Sequence, residues 1–210
     1  MQNNNTSPSQ CHSTVFWGEI APCDHVVQIY EDREAFLDIL TGFVTDGIKS
    51  GDCVVLILKP DHLQALDERL MIQNYDIKQL TAQAKFIAVD AQQALSEFMI
   101  DGWPDQAKFM SFISELLNRA RKTHTQIRAF GEMVALLWEQ GHYGATVNLE
   151  HLWNNLIAEQ SFTLFCAYPK SGFTQNPGES IHDICATHSM VIDGKKGTSE
   201  ISYLKVSQAT

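Results

Sequence analysis

Short apolar runs alternate with apolar stripes of helical spacing along most of the chain. The run His25–Tyr30 is typical of a strand, and the apolar residues after it lie at intervals of three and four until Gly51 ends the pattern. Cys53–Leu58 is apolar throughout, as in a strand that is covered on both faces. A second helical stripe follows it. The pattern therefore begins as strand, helix, strand, helix.

The same unit recurs further along the chain. The next predicted strands are Phe86–Val89, Ile127–Phe130 and Phe162–Ala167, and apolar stripes of helical spacing lie between them. Strands that alternate with helices imply βαβ crossovers and hence a mainly parallel sheet. We therefore predict an α/β protein of three layers, in which helices cover both faces of a central sheet.

The two ends of the chain are less regular. Residues 1–14 are rich in Asn, Ser, Thr and Gln, and we predict a disordered lead-in there. Residues 181–188 are a candidate helix, and residues 201–206 are a candidate edge strand or hairpin. We predict one folded domain over residues 15–192 and a C-terminal extension over residues 193–210.

Composition and charge narrow the class of protein. Hydrophobic residues make up 44% of the 210 residues and charged residues 19%, which is ordinary for a globular protein. The net charge of −10 repels phosphate backbones and anionic membranes, so nucleic acid is an unfavourable partner. No apolar run approaches the roughly 20 residues of a transmembrane helix, and the N-terminus lacks the pattern of a signal peptide. We expect a cytoplasmic protein.

Five cysteines are present without a Cys-x-x-Cys pair. In a reducing compartment we expect them to be free thiols, so no disulfide framework is predicted. Cys53 and Cys166 lie inside apolar strands, where a thiol packs as a small core residue.

Candidate binding residues follow from the predicted sheet, because the ligand crevice of an open α/β sheet lies outside the carboxyl ends of its strands. The polar residues that follow predicted strands closely are Lys59, Asp61, His62, Asp90, Glu132 and Tyr168. Asp61 and Asp90 also occupy positions where a helix N-cap is expected, so a structural role competes with binding for both. Together these residues define the predicted crevice.

The turn after Leu58 lacks the means of holding a triphosphate. Phosphate loops use glycines to bring backbone N–H groups close, and they aim a lysine at the phosphate oxygens. Here the turn contains Pro60, which has no N–H group, and no glycine. A nucleotide hydrolase is therefore unfavoured, although the strand that ends at Asp90 resembles the one that holds Mg²⁺ in such enzymes.

Glu132 has two interpretations that the sequence leaves open. A carboxylate that opens a helix is favoured by the helix dipole, which is a structural role. If Glu132 is instead buried in the crevice beside Arg128, the pair can orient a polar ligand.

A metal site is a further alternative. His182, Cys185 and His188 follow one another at intervals of three residues, and their side chains suit Zn²⁺. Other cysteine and histidine residues lie upstream at Cys11, His12, Cys23 and His25. The spacing matches no standard zinc finger or knuckle, so the main prediction is that the protein holds no metal and no cofactor.

Four stretches together resemble one family. They are HVVQIY at 25–30, FGEMVALLW at 130–138, LEHLWN at 149–154 and CAYP at 166–169. In residues, order and spacing they resemble the MEDS domain, the methanogen/methylotroph DcmR-type sensory domain. The polar and aromatic residues that the resemblance carries over are His25, Tyr30, Arg128, Glu132, Trp138, Glu150, Trp153 and Asn154.

The resemblance implies a fold related to the RecA/KaiC-type ATPases, with a phosphate loop that has eroded. It also implies a sensory role towards small molecules such as hydrocarbon derivatives, with an output through a DNA-binding module or a histidine kinase. Because the sequence leaves no room for such a module, we expect a signalling partner protein in trans, a histidine kinase or a transcription regulator.

We therefore predict a non-catalytic sensory domain that binds an unknown small organic molecule at the carboxyl edge of its sheet. Two alternatives stay open. One is residual nucleotide binding or hydrolysis through Asp90 and Glu132, and the other is a zinc-stabilised interaction protein that uses His182, Cys185 and His188. The sequence is compatible with a monomer and with a homodimer, and it predicts no direct contact with nucleic acid or membrane.

Overall fold

A parallel sheet forms the centre of the molecule in the computed structural model, which describes residues 17, 20–21, 23–122, 126–173, 177–194 and 203–205. The strands are β1 His25–Tyr30, β2 Cys53–Leu58, β3 Phe86–Asp90, β4 Met99–Ile100, β5 Trp103–Pro104, β6 Ile127–Gly131, β7 Thr163–Pro169, β8 Met190–Gly194 and β9 Tyr203–Lys205. The predicted lead-in, residues 1–14, and most of the predicted C-terminal extension lie outside the described residues.

Eight helices connect these strands within the described ranges. They are α1 Arg33–Ser50, α2 Pro60–Ile72, α3 Ile77–Ala82, α4 Ala91–Phe98, α5 Gln106–Arg121, α6 Met133–Glu139, α7 Tyr143–Gln160 and α8 Pro177–Ala186. Among them, none is both long enough and apolar enough to cross a bilayer.

The main sheet has seven strands in the order β3-β2-β6-β7-β1-β8-β9. The first six in this order pair in parallel, and β9 pairs with β8 in the antiparallel direction. The short strands β4 and β5 form a separate antiparallel pair. The predicted α/β fold with a mainly parallel sheet is therefore confirmed.

The two faces of the sheet carry different sets of helices. Apolar side chains of α1, α2 and α3 pack on one face, and those of α4 to α8 pack on the other. Strand β2 shows how the sequence builds both layers, since all of its side chains are buried. Val55 and Ile57 join one core, while Val54 and Leu56 join the other, as the alternation of a strand requires.

Helix α1 begins and ends where its sequence predicts. The Asp32 side chain accepts a hydrogen bond from the Ala35 N–H group at 3.0 Å, which satisfies one of the free donors of the first turn. Gly51 ends the helix with φ of +83°, a left-handed conformation that favours glycine. This helix connects β1 to β2 across the intervening strands.

The helices leave neighbouring strands toward opposite faces at three places along the carboxyl edge of the sheet, one of them between the outer strand β3, which leads to α4, and β2. The other two lie further inside the sheet. The first of these lies between β2, which leads to α2, and β6, which leads to α6 on the other face. The second lies between β1, which leads to α1, and β7, which leads to α8. Such divergences open the crevices in which ligands of α/β proteins bind.

Gln28 is an unusual side chain within the core. It lies in β1 between Ala167 of β7 and Ile192 of β8, and it is fully buried. Neither its amide nitrogen nor its amide oxygen has a hydrogen-bond partner among the described residues. A buried polar group without a partner lowers stability, because it loses its hydrogen bonds to water.

We expect the substitution Gln28→Met to raise the free energy of unfolding by about 1–3 kcal/mol, because methionine fills a similar volume without amide atoms. Urea denaturation followed by circular dichroism measures this change. The control is Gln92→Met at an exposed position of α4, where the change should stay within about 0.5 kcal/mol. A loss of stability in Gln28→Met would contradict the assignment of an unsatisfied amide.

Candidate functional site

Glu132 occupies the crevice between β2 and β6. Its backbone N–H group donates to the carbonyl oxygen of Ile57 at 2.9 Å, which holds the residue against β2. Its side chain is buried and accepts a hydrogen bond from the Lys59 N–H group at 2.9 Å and another from Nδ1 of His62 at 2.7 Å. The carboxylate therefore joins the end of β6 to the beginning of α2 on the other face.

Lys59 and Glu139 complete this group of charges. The Lys59 Nζ atom lies 3.1 Å from Oε1 of Glu132 and 3.3 Å from Oε1 of Glu139. Burial of Lys59 opposes its charge, but the two carboxylates outweigh burial and raise the pKa of Lys59. We call Lys59, His62, Glu132 and Glu139 the edge cluster.

Aromatic rings border the edge cluster. Phe36 of α1 lies between Tyr30 and His62, with ring centroids 4.7 Å from Tyr30 and 5.0 Å from His62. Burial, followed by the charge of Glu132, raises the pKa of Tyr30, so its phenol stays protonated. The edge cluster thus places a cation and carboxylates beside the aromatic rings of Phe36 and Tyr30.

Glu132 agrees only in part with each of its two interpretations, since it is the N-cap residue of α6 and its side chain is buried. Its side chain makes no capping hydrogen bond to α6, the helix that it precedes. Arg128 does not lie beside it, because four residues of strand separate the two by about 13 Å. At the amino edge of the sheet, Nε of Arg128 instead lies 2.7 Å from Oδ2 of Asp52, and Nη1 lies 2.8 Å from Oδ2 of Asp46.

The other two predicted carboxylates have separate positions. Asp90 accepts a hydrogen bond from the Gln93 N–H group at 2.7 Å and so caps α4, on the outer strand β3. Asp61 is exposed, and its Oδ2 atom lies 3.7 Å from Arg33 and 3.8 Å from Nε2 of His62. Asp61 borders the edge cluster, whereas Asp90 has the structural role that its position also predicts.

A second polar group is buried between the sheet and α7. His25 of β1 is held by Asn154 of α7, with Nδ1 2.8 Å from the amide oxygen. Nε2 of His25 lies 3.3 Å from Sγ of Cys166 and 3.4 Å from Oε2 of Glu150. His188, from the turn between α8 and β8, packs on His25 with ring centroids 4.0 Å apart. We call His25, Glu150, Cys166 and His188 the buried cluster.

The interior position of the buried cluster shifts its acid–base behaviour. Burial raises the pKa of Glu150 to about 8 and lowers the pKa of His25 to about 4. Burial likewise raises the pKa of Cys166 and lowers that of His188. Every shift favours the neutral form, because burial disfavours the charged form of each group.

Tyr168 belongs to this second group and not to the carboxyl edge. The sequence places it after the fifth strand, but β7 continues to Pro169, and the Tyr168 side chain is fully buried. Its hydroxyl donates a hydrogen bond to Oε1 of Glu150. The alternation of β7 directs Cys166 and Tyr168 to the same face, which brings both to Glu150.

The two predicted tryptophans lie in the core on the α7 face. Nε1 of Trp138 donates to the carbonyl oxygen of Gly172 at 2.9 Å, which fastens the turn after β7 onto α6. Trp153 packs edge-to-face on Phe109 and lies against Gly131, where a Cβ atom would come 3.5 Å from the indole ring. Nε1 of Trp153 has no hydrogen-bond partner among the described residues.

The trio His182, Cys185 and His188 does not come together. Helix α8 ends at Ala186, so His188 lies beyond it and turns inward, whereas His182 is exposed and Cys185 half-buried on the helix. Of the upstream residues, Cys23 is exposed, and Cys11 and His12 lie outside the described residues. His188 therefore does not share a metal site with His182 and Cys185, contrary to what their helical spacing suggests.

Two functional candidates were missed at the level of sequence. Glu139 lies on the last turn of a helix, where nothing distinguishes it from a solvated carboxylate. Cys166 is fully buried, as expected of a small core residue, yet its Sγ atom also lies 3.3 Å from Nε2 of His25 and within 4.8 Å of a ring nitrogen of His188. The only sequence signal was its place two residues before Tyr168 in an apolar strand.

Comparison with known families gives one match that covers most of the chain. The model of the family described as MEDS, "MEthanogen/methylotroph, DcmR Sensory domain", matches residues 24–189. The curated proteins contain no match to the sequence.

Solved structures share the fold at low sequence identity. A Pyrococcus horikoshii OT3 protein from a structural study has a TM-score of 0.55 and 10% identity over 93% of this chain and 97% of its own. A KaiC-like protein of the same organism has a TM-score of 0.53 and 12% identity, over 87% and 77%. The flagellar accessory protein FlaH of Methanocaldococcus jannaschii has a TM-score of 0.54 and 10% identity, over 84% of this chain and 73% of its own. The predicted relation to RecA/KaiC-like folds is confirmed.

The surroundings of Arg128 predict a structural role that can be tested. We expect Arg128→Met to lower the free energy of unfolding by roughly 1–3 kcal/mol, between the values for exposed and buried ion pairs, because two acidic partners lose their cation. Arg69→Met, which removes an exposed pair with Glu34 and Asp38, should cost less than about 1 kcal/mol. Equal effects in urea denaturation would contradict the special role of Arg128.

Proposed function

The chain belongs to the MEDS family of sensory domains, and on that premise we propose that it binds a small polar organic molecule at the edge cluster and signals through a partner protein in trans. The observation that carries the proposal is the position of Glu132. It is a buried carboxylate in a divergence of the sheet, and it is held by Lys59 and His62 from the neighbouring strand and helix.

A ligand at this place can change the contacts of both helical layers. Glu132 precedes α6 on one face and bonds to the beginning of α2 on the other. A molecule that offers its own carboxylate, hydroxyl or amine competes for Lys59, His62 or Glu132. Binding would favour the conformation in which these hydrogen bonds have exchanged, and the population would shift towards it.

The turns of the carboxyl edge support a function other than phosphate binding. In the β1–α1 turn, the Ala35 N–H group donates its hydrogen bond to the Asp32 side chain. In the β2–α2 turn, the Lys59 N–H group donates to the Glu132 side chain. A phosphate needs such N–H groups and repels carboxylates. Internal carboxylates thus stand where a nucleotide would place its own negative charges.

Glu132→Gln tests the binding proposal. We would screen a panel of short-chain alcohols, amines, carboxylates and halogenated hydrocarbons by thermal shift, and confirm hits by isothermal titration. For a compound that binds the unmodified protein, Glu132→Gln should weaken binding about tenfold or more, because a charge-assisted hydrogen bond is worth about 1.5–3 kcal/mol. Circular dichroism verifies that the variant is folded.

The matched control is Asp90→Asn at the same edge of the sheet. Asparagine caps a helix about as well as aspartate, so folding is preserved, and binding should be unchanged. A compound that binds the unmodified protein and Glu132→Gln equally would refute the placement of the ligand at the edge cluster.

A nucleotide test addresses the alternative function through Asp90 and Glu132. We expect ATP with Mg²⁺ to leave the melting temperature unchanged, because the N–H groups of the two turns are already occupied. A tightly bound ligand at 100 times its Kd would add about 2.7 kcal/mol of stability, which thermal shift detects readily. Stabilisation by ATP that Asp90→Ala abolishes would replace the proposal with nucleotide binding.

A further inference from the structure

The buried cluster brings together the side chains that bind transition metals. The ligand atoms of His25, Glu150, Cys166 and His188 all lie within 4.8 Å of one another, and all four side chains are buried. In the part of the chain that the structure describes, it is the one group of three or more such side chains close enough to share an ion. It is separate from the edge cluster, so it bears on a different property of the protein.

Both imidazoles are oriented as metal ligands are. Nδ1 of His25 lies 2.8 Å from the amide oxygen of Asn154, and Nδ1 of His188 lies 2.7 Å from the carbonyl oxygen of Ile184. Because oxygen acceptors require a proton on Nδ1, the lone pair of each ring is on Nε2, which faces the cluster. Metal-binding histidines are commonly fixed in this way by an acceptor on the other nitrogen.

One imidazole lone pair of the buried cluster has no hydrogen-bond donor among the described residues. Nε2 of His188 is fully buried and has no hydrogen-bond partner among the described residues. It lies 3.6 Å from Oε1 of Glu150, an atom that already accepts the hydrogen bond of Tyr168. A buried imidazole lone pair without a donor is unfavourable, and a cation at the centre of the cluster removes that cost.

The separations suit a four-coordinate ion. With zinc bond lengths of about 2.0–2.3 Å, the edges of a tetrahedron are roughly 3.3–3.6 Å long. Nε2 of His25 lies 3.3 Å from Sγ of Cys166 and 3.4 Å from Oε2 of Glu150. Sγ of Cys166 lies 4.0 Å from the same carboxylate oxygen, and the four ligand atoms together lie within 4.8 Å, so the side chains must move closer to complete the polyhedron.

We propose that His25, Glu150, Cys166 and His188 bind one divalent metal ion of the zinc class. The charges balance, because a thiolate and a carboxylate together neutralise a divalent cation while both imidazoles stay neutral. Two nitrogens, one sulfur and one oxygen form a ligand set typical of Zn²⁺. All four positions come from the protein, so the site is closed and structural.

The ion would fasten the last parallel strand of the sheet to the rest of the core. His25 belongs to β1, Cys166 to β7 and Glu150 to α7, and His188 lies two residues before β8 begins. The connection from α8 to β8 would be joined through the metal to three other elements. Removal of the ion should therefore loosen this end of the sheet first.

Metal analysis of the full chain tests the proposal directly. The protein is purified without chelator, incubated with Zn²⁺, passed through a desalting column and measured by plasma mass spectrometry. We expect close to one zinc ion per chain, and a melting temperature that falls when a strong chelator removes it. Zinc below about a tenth of an equivalent after this loading would overturn the proposal.

Matched variants identify the ligands. Cys166→Ser and His188→Gln should each lower zinc affinity by at least tenfold, since each removes one metal bond. The controls are Cys185→Ser and His182→Gln, which alter the neighbouring thiol and imidazole on α8 and should keep zinc at the level of the unmodified protein. Zinc affinity in Cys166→Ser and His188→Gln equal to that of the two controls would overturn the assignment.

Cobalt substitution of the unmodified protein decides the question if the variants do not fold. Co²⁺ bound by this set should give the visible absorption of tetrahedral cobalt and a near-ultraviolet band from thiolate coordination. Bound cobalt without the thiolate band would overturn the proposal, because Cys166 would then not be a ligand.

Discussion

The hydrogen bonds of Glu132 connect the two layers of helices at the edge of the sheet. The end of β6 and the beginning of α2 are held together by one buried carboxylate, which accepts from the Lys59 N–H group and from His62. A buried carboxylate is costly unless it is paired, and here Lys59 supplies the charge while His62 supplies a second hydrogen bond. Glu132 therefore connects the beginning of α2 to the beginning of α6.

The buried cluster solves the same physical problem in a different way. At the edge cluster, two carboxylates share one lysine near solvent. Between the sheet and α7 no lysine or arginine neighbours Glu150 among the described contacts, and burial favours neutral groups instead. A divalent ion would provide the missing positive charge. One chain thus contains a crevice with an ion-paired lysine at its edge and a set of metal-binding side chains in its interior.

The likeness to KaiC-like proteins concerns the architecture alone. The fold is similar, but in this chain the turns at the carboxyl edge carry carboxylates where phosphate binding needs free N–H groups. A sensory domain can keep such a scaffold because the divergences of the sheet create crevices whatever side chains line them. The residues in the crevice then decide what the fold binds.

The fold class and the elements around the candidate site follow from the sequence pattern alone. Periodicity was sufficient for this purpose, because β2 and α1 bury apolar faces with the repeats of a strand and a helix. It also placed Lys59, His62 and Glu132 at one edge, since the carboxyl ends of parallel strands meet there. The contacts between side chains, in contrast, are set by the packing of distant segments. Arg128 pairs at the opposite edge, and His188 leaves the helical register to meet His25 and Cys166, because strand order and chain reversal are set by packing over long sequence separations.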